Sequence, residues 1–316
     1  VQYEDDLDLG RITKGAATAL LARVYMQQHK WDEARAELDK IVNGADFSGV
    51  YALIADYHDN FTDLNENNEE SLFEVQWISG PSASGSMDHT TPVSRVYSPV
   101  GYSQMESTLG IINEFELSAT YYNSGDPDPR RDITFIWHGM DPSIMVYGVS
   151  FDSLITHPNF PFPESNYKEH QWIRKYLDDY HKVSEDDWSG INDRKIRYAD
   201  VLLMYAECLN NTGATADAYQ YINMVRDRAG IDQLTTGNLL ADVAQTELNA
   251  HGFTIPSDEQ GKMQLQIEYE RIWELTGEST RWLDLARWGY LENQDKIDIL
   301  RYTDPDFDNF ILGRNH

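Results

Sequence analysis

Glu270, Glu274 and Glu278 stand four residues apart in Leu265 to Leu291, a segment whose apolar residues recur at helical spacing. Positions four apart share one helix face. The row would serve either as metal-binding or acid/base carboxylates, or as an ion-paired face packed on a helical core. Arg271, Arg281 and Arg287 in the same segment favour the ion-paired reading. Other candidates for chemistry are weaker. Gly80-Pro81-Ser82-Ala83-Ser84 lacks the last glycine of a nucleophile elbow. No HExxH, P-loop or GxGxxG occurs, and no two histidines stand at i,i+4. Asp304 to Asn309 opens like a calcium loop but has Asn309 and Asn315 where Gly and Glu are needed, so it reads as a solvated acidic turn. Cys208 is the one cysteine, which excludes an internal disulfide, and its apolar helical setting reads as an inert core thiol. With 53 carboxylates some pair falls at glycosidase spacing by chance, so hydrolysis gains no support. The expectation is no catalytic residue, no metal and no cofactor.

A different kind of chemistry is suggested by what one stretch lacks. From Val75 to Met105 the charges are Asp88 and Arg95 alone, where about eight would match the rest of the chain. Seven serines, Thr90, Thr91, three glycines and three prolines replace them, with the rings Trp77, Tyr97 and Tyr102. A neutral, hydroxyl-rich loop set with aromatics suits a neutral sugar, whose apolar face stacks on a ring while polar side chains fix its hydroxyls. The same composition also describes a flexible linker with no ligand. If a sugar binds, Trp77, Tyr97 and Tyr102 are the platforms and Asp88, Arg95 and Gln104 the hydroxyl partners. Trp77 is the weakest platform, because alternation from Glu70 to Ile78 suggests an extended segment that turns it inward. Tyr121 and Tyr122, just after a helix expected over Ser107 to Leu117, either close the site or pack in the core.

These residues need a scaffold, and the flanking segments supply one. Arg11 to Val42 carries helical periodicity on both sides of a break at His29-Lys30-Trp31, with Asp32 as a plausible N-cap. Its set Thr18, Leu21, Ala22, Tyr25, Ala34, Leu38 and Ile41 fits a tetratricopeptide (TPR) hairpin, in which small residues let two helices approach. The set recurs in the same register as Leu202, Tyr205, Ala206, Leu209, Ala218, Ile222 and Val225. Two hairpins do not complete a helical stack, so further helices are expected beyond the chain. Gly277 divides the third helical segment, and two helices there are as consistent as one. Turn clusters at Gly125 to Pro129 and His157 to Pro163 mark the irregular territory between the hairpins.

The chain has 316 residues, 41% of them hydrophobic, enough for a sizeable folded core. Its net charge of −28 repels phosphate backbones and anionic membranes, which sets nucleic acid aside as a partner. No apolar run is long enough for a transmembrane helix. Val1 opens directly into an acidic stretch and His316 ends an apolar one, so the chain is either cytosolic or a piece of a longer protein, and the incomplete helical stack favours the piece.

In family order, the chain resembles the SusD/RagB family of glycan-binding outer-membrane lipoproteins of Bacteroidota. The resemblance is carried by Ile12 to Tyr25, Ile196 to Glu207 and Ile222 to Gly230. It continues through Glu270, Arg271, Glu274, Leu275, Glu278, Arg281, Trp282, Asp284, Leu285, Arg287 and Trp288. It implies a mainly α, SusD-like α-α superhelix of TPR-like hairpins, with a loop-rich section carrying little β. On that reading 1–316 is one domain incomplete at both ends, like the C-terminal two-thirds of such a protein. TPR-like hairpins occupy 11–44 and 194–230, the ligand-binding loops 61–193 and the signature helices 265–291. The family lipid anchor, early TPR helices and Pro-rich tail have no counterpart in this sequence. The implied activity is non-catalytic binding of a neutral glycan at the cell surface and its delivery to a SusC-like TonB-dependent transporter. Membrane contact would run through a lipid anchor outside this chain. A TPR scaffold for a peptide and, further back, a glycoside hydrolase are the competing readings.

Overall fold

The computed structural model describes residues 8–78, 90–156, 170–180 and 189–303. Helices dominate them, with two small antiparallel sheets, as a mainly α chain with little strand requires. α1 (Lys14–Gln27) and α2 (Trp31–Val42) form the first hairpin. The Thr13 hydroxyl caps α1 by accepting the Ala16 N–H at 3.1 Å. Ala16, Ala19 and Ala22 make a small buried face on α1, met from α2 by Ala34, Leu38 and Ile41. Asp32 is not the cap of α2. The helix begins one residue before it, and Asp32 with Glu33 opposes the helix dipole from the first turn. The outer face of α1 is apolar too, but bare: Ile12, Leu20, Leu21 and Val24 are exposed. Such a face is where the next hairpin of a helical stack packs.

The middle section begins with β1 (Ser71–Val75), inside the extended segment expected from the alternation. α3 (Val93–Tyr97), β2 (Glu106–Ser107) and α4 (Leu109–Tyr122) follow, the last shifted toward the C-terminus of its expected span. Then come α5 (Arg131–Thr134), β3 (Phe135–Ile136), α6 (Phe151–Leu154), β4 (Gln171–Ile173) and β5 (Asp193–Arg197). β5 pairs with β1, and the other three strands form a sheet in the order β2-β4-β3. Trp172 of β4 stands opposite both Glu106 of β2 and Ile136 of β3. An apolar cluster of Ile136, Tyr147, Phe151, Leu154, Trp172 and Leu177 packs this section. The His157 to Pro163 and Asp304 to Asn309 turns lie outside the described residues.

α7 (Tyr198–Asn211) and α8 (Thr215–Ala229) form the second hairpin, and α8 closes on Gly230 in the left-handed conformation. α7 is the axis of the main core. Every residue from Tyr198 to Asn210 is buried, between α2, α8 and the later helix Glu259–Leu275. Cys208 sits here without exposure, and burial pushes its thiol far above the ordinary range, which keeps it inert. α9 (Leu240–Val243) and α10 (Gln245–Ala250) lead to α11 (Glu259–Leu275), α12 (Arg281–Arg287) and α13 (Gln294–Thr303). Two helices thus replace one long one at Gly277, whose φ of 88° suits glycine.

The glutamate row is ion-paired, but not to the arginines of its own segment. Glu270 is held by Arg226, and Glu274 by Arg228, Arg197 and Arg130. Glu278 takes Arg197 at 2.7 Å and Lys175 at 2.8 Å. Arg271 turns instead to Asp200 and Asp284, and Arg287 to Glu207 and Asp284. Burial alone would raise the Glu274 carboxyl. The three guanidiniums overcome it and hold the group at about 2. The row is therefore a buried seam stitching α11 to β5 and α8.

Candidate functional site

The described part of the neutral stretch folds back on itself beside α3. The Tyr102 N–H donates to the Arg95 carbonyl at 2.7 Å, and the Gln104 N–H to the Val96 carbonyl at 2.9 Å. Gly101 makes that return possible, since a Cβ there would come within 2.3 Å of the Arg95 carbonyl oxygen. The result places the Arg95 guanidinium 4.4 Å over the Tyr102 ring. Stacking on a guanidinium fixes the ring in place while leaving it 47% exposed. Gln104 and Met105 are exposed beside it in sequence.

The sheet anchors this shelf. The buried Trp172 indole donates to the Ser103 hydroxyl at 2.7 Å. His170, two residues before Trp172, lies with its ring parallel to that indole, 6.0 Å between centroids. Its Nδ1 is 2.7 Å from a Glu106 carboxylate oxygen. A half-exposed tyrosine with its guanidinium and a carboxylate with its imidazole are thus tied together through Ser103 and Trp172, with the exposed Gln104 next in the chain to Ser103. Such a set offers a stacking face with donors and acceptors around it.

Of the residues expected at one surface, Tyr102 and Arg95 are in contact, and Gln104 is exposed two residues on with its backbone N–H on the Val96 carbonyl. Tyr97 is not a free platform: half-buried, it packs against three apolar clusters at once, and burial pushes its phenol above the ordinary range. Trp77 is half-buried; its backbone N–H donates to the Asn192 side chain at 2.7 Å, and its buried indole N–H has no hydrogen-bond partner among the described residues. Asp88 lies outside the described residues. Tyr122 must be withdrawn from the site. It is 1% exposed, donates to Gln266 at 3.0 Å and carries the Arg226 guanidinium over its ring, all inside the core. Tyr121 is half-buried and packed against the same core. Both stand at the far end of α4, about 20 Å along the chain axis from Thr108. His170, Trp172 and Glu106 were not foreseen. They arrive through the β2–β4 pairing, and a two-residue strand carries too short an alternation to announce it.

Among the described residues no cluster of three or more His, Cys, Asp or Glu is placed to hold a metal ion, and no helix is long and apolar enough to cross a membrane. The SusD family model matches residues 69–315, most of the chain. The chain belongs to the SusD family. A SusD-like protein of Formosa agariphila is 26% identical over 310 residues, covering 93% of this chain and 53% of that one. The chain thus spans about half the length of such curated relatives, less than the two-thirds expected. The crystal structure of a SusD superfamily protein from Bacteroides vulgatus is 28% identical with a TM-score of 0.71, covering 97% of this chain and 57% of that one. Surface glycan-binding protein A from Bacteroides thetaiotaomicron, solved in complex with laminarihexaose, shares the fold at 21% identity and a TM-score of 0.61. That match covers 91% of this chain and 57% of the other.

Proposed function

We propose that this SusD-family chain binds a neutral glycan without transforming it, on the shelf around Tyr102. The observation that carries the reading is the half-exposed Tyr102 ring held by Arg95 in a stretch almost free of charge. A related fold with bound laminarihexaose supports it. Gln104, Glu106 and His170 supply hydroxyl contacts, Tyr102 the stacking face. Within the longer protein, family membership supports a place on the outer face of an outer membrane, through a lipid anchor, and delivery of glycan to a SusC-like TonB-dependent transporter.

Stacking one sugar face on one ring contributes on the order of 1 kcal/mol, so binding at such a shallow shelf is weak. An uncharged ligand gains nothing from the field of the chain, so affinity stays flat with salt. The test is isothermal titration across a glycan panel, followed by Tyr102→Ala and by low and high salt on the best ligand. Tyr102→Ala should weaken binding about five-fold. Unchanged affinity in that variant would move the site elsewhere; a steep loss with salt would mean an anionic ligand. Product formation during the titration would turn the reading to hydrolysis. The bare apolar face of α1 favours a second reading, a scaffold for a peptide or helix. Peptide capture with no glycan binding would decide for it.

A further inference from the structure

Away from the shelf, α4, α11, α12 and α13 enclose a cavity of about 250 Å³. Ile111, Phe253, Ile272, Leu285, Ile299 and Leu300 make its wall largely apolar. Its polar lining includes Glu114 and Arg281. Glu114 is 5% exposed; one carboxyl oxygen lies 3.7 Å from Nδ1 of His251, while the other is buried with no hydrogen-bond partner among the described residues. The Arg281 guanidinium lies 5.7 Å from the Trp288 ring centroid, and its Nη1 is buried with no hydrogen-bond partner among the described residues. Among the described residues no carboxylate comes within ion-pair distance of Arg281.

A buried donor and a buried acid oxygen left unpaired are both costly to desolvate. One water would satisfy them but would leave most of the space empty, since a water occupies roughly 30 Å³. The remainder is apolar wall, which favours an apolar body. An unpaired guanidinium favours an anion, and a planar carboxylate suits its geometry. We propose that this cavity binds a small apolar monocarboxylate, its head between Arg281 and Glu114 and its hydrocarbon body against the apolar wall.

The protonation of Glu114 decides whether that head is welcome. Burial raises its carboxyl to about 7, with a hydrogen bond from Tyr269 and the charge of Arg281 acting in the opposite direction. The groups facing it are Tyr269 of α11, Arg281 of α12 and His251 after α10. Glu268 and Tyr290 also line the cavity and are paired with each other at 2.8 Å. Protonated, Glu114 donates to the ligand carboxylate. Ionised, it repels it.

The test titrates benzoate and octanoate into the 316-residue chain at pH 6 and pH 8.5, with benzyl alcohol and benzylamine as uncharged and cationic controls. Saturable binding of a carboxylate at pH 6, weakened about ten-fold at pH 8.5, is expected. Arg281→Gln should weaken it by a similar factor, and Glu114→Gln should bind with the pH dependence gone. Leu285→Phe narrows the cavity without touching either polar group and should abolish binding, which keeps the test open if Arg281→Gln does not fold. Absence of saturable binding at pH 6 overturns the proposal. Equal binding of benzyl alcohol, or indifference to Arg281→Gln in a folded variant, overturns it too.

Discussion

Glu274 has no exposure and meets three guanidiniums; Tyr102 keeps 47% of its surface exposed and meets one. The first belongs to the seam that joins α11 to β5 and α8, the second to the shelf beside α3. Charge is concentrated in the seam because each carboxylate there finds partners at fixed distances, without which burial would be prohibitive. On the shelf the charges are few, Arg95 over the Tyr102 ring and Glu106 beside His170. A neutral ligand could not compensate a desolvated ion, whereas hydroxyls and rings lose little when it binds. In a chain at −28, the two regions separate the electrostatics of folding from the surface left for a partner.

The sharpest way to break the comparison is to truncate both residues in one assay. Glu274→Ala leaves Arg130, Arg197 and Arg228 without their shared carboxylate, and should cost about 3–5 kcal/mol in urea unfolding. Tyr102→Ala, on an exposed ring, should stay within about 0.5 kcal/mol of the parent. A loss below about 1 kcal/mol for Glu274→Ala would show that the seam does not hold α11.

The seam and the cavity also respond to pH in opposite directions. Glu274 sits at about 2, below its ordinary 4.5, so its contribution is present above 4.5 and lost as pH falls through about 2. Glu114 is raised from 4.5 to about 7, chiefly by burial. The folded state keeps a proton the unfolded chain releases, so this contribution is full below 4.5 and lost as pH rises through about 7. The shift corresponds to about 3 kcal/mol. Glu114→Gln should flatten that loss between pH 5 and pH 8, read from urea midpoints. An unchanged slope would assign the pH dependence to other groups.

The seam was visible in sequence for a simple reason. Glutamates four apart on a helix declare one face, and one face needs one set of partners. Which partners was not visible. Arg271 and Arg287 were the obvious neighbours, yet they serve Asp200, Asp284 and Glu207, while β5, α8 and Arg130 close the row. The hairpins were legible through the repeat of Ala22 as Ala206, because tight helix crossings restrict size. The shelf was legible only in composition. Its neutral residues pointed to a surface, but turns set ring direction, and Gly101 and the pairing of β2 with β4 are what separate Tyr102 from the half-buried, core-packed Tyr97.

The hairpin register can be broken separately from both regions. Ala22 and Ala206 have no exposure and lie in the inner faces of α1 and α7. Ala22→Leu and Ala206→Leu should each lower stability by about 1–3 kcal/mol through overpacking, with glycan affinity unchanged in the folded fraction. Melting within a degree of the parent for both would mean that the helices do not cross there.

The smallest expected effect sharpens the comparison most, because it links the shelf to the core. The Trp172 indole is buried and its N–H ends on the Ser103 hydroxyl, next in the chain to Tyr102. Ser103→Ala removes the acceptor and leaves a buried donor, a loss of about 1 kcal/mol. It also frees the turn that presents Tyr102, so glycan binding should weaken even though no ligand contact is removed. Tyr102→Phe keeps the ring and its guanidinium neighbour and should alter stability and affinity by less than about 0.5 kcal/mol. If Ser103→Ala weakens binding and Tyr102→Phe does not, the ring face and its positioning are what the ligand uses. If Tyr102→Phe is the more damaging of the two, the phenol hydroxyl is the contact and the stacking argument fails.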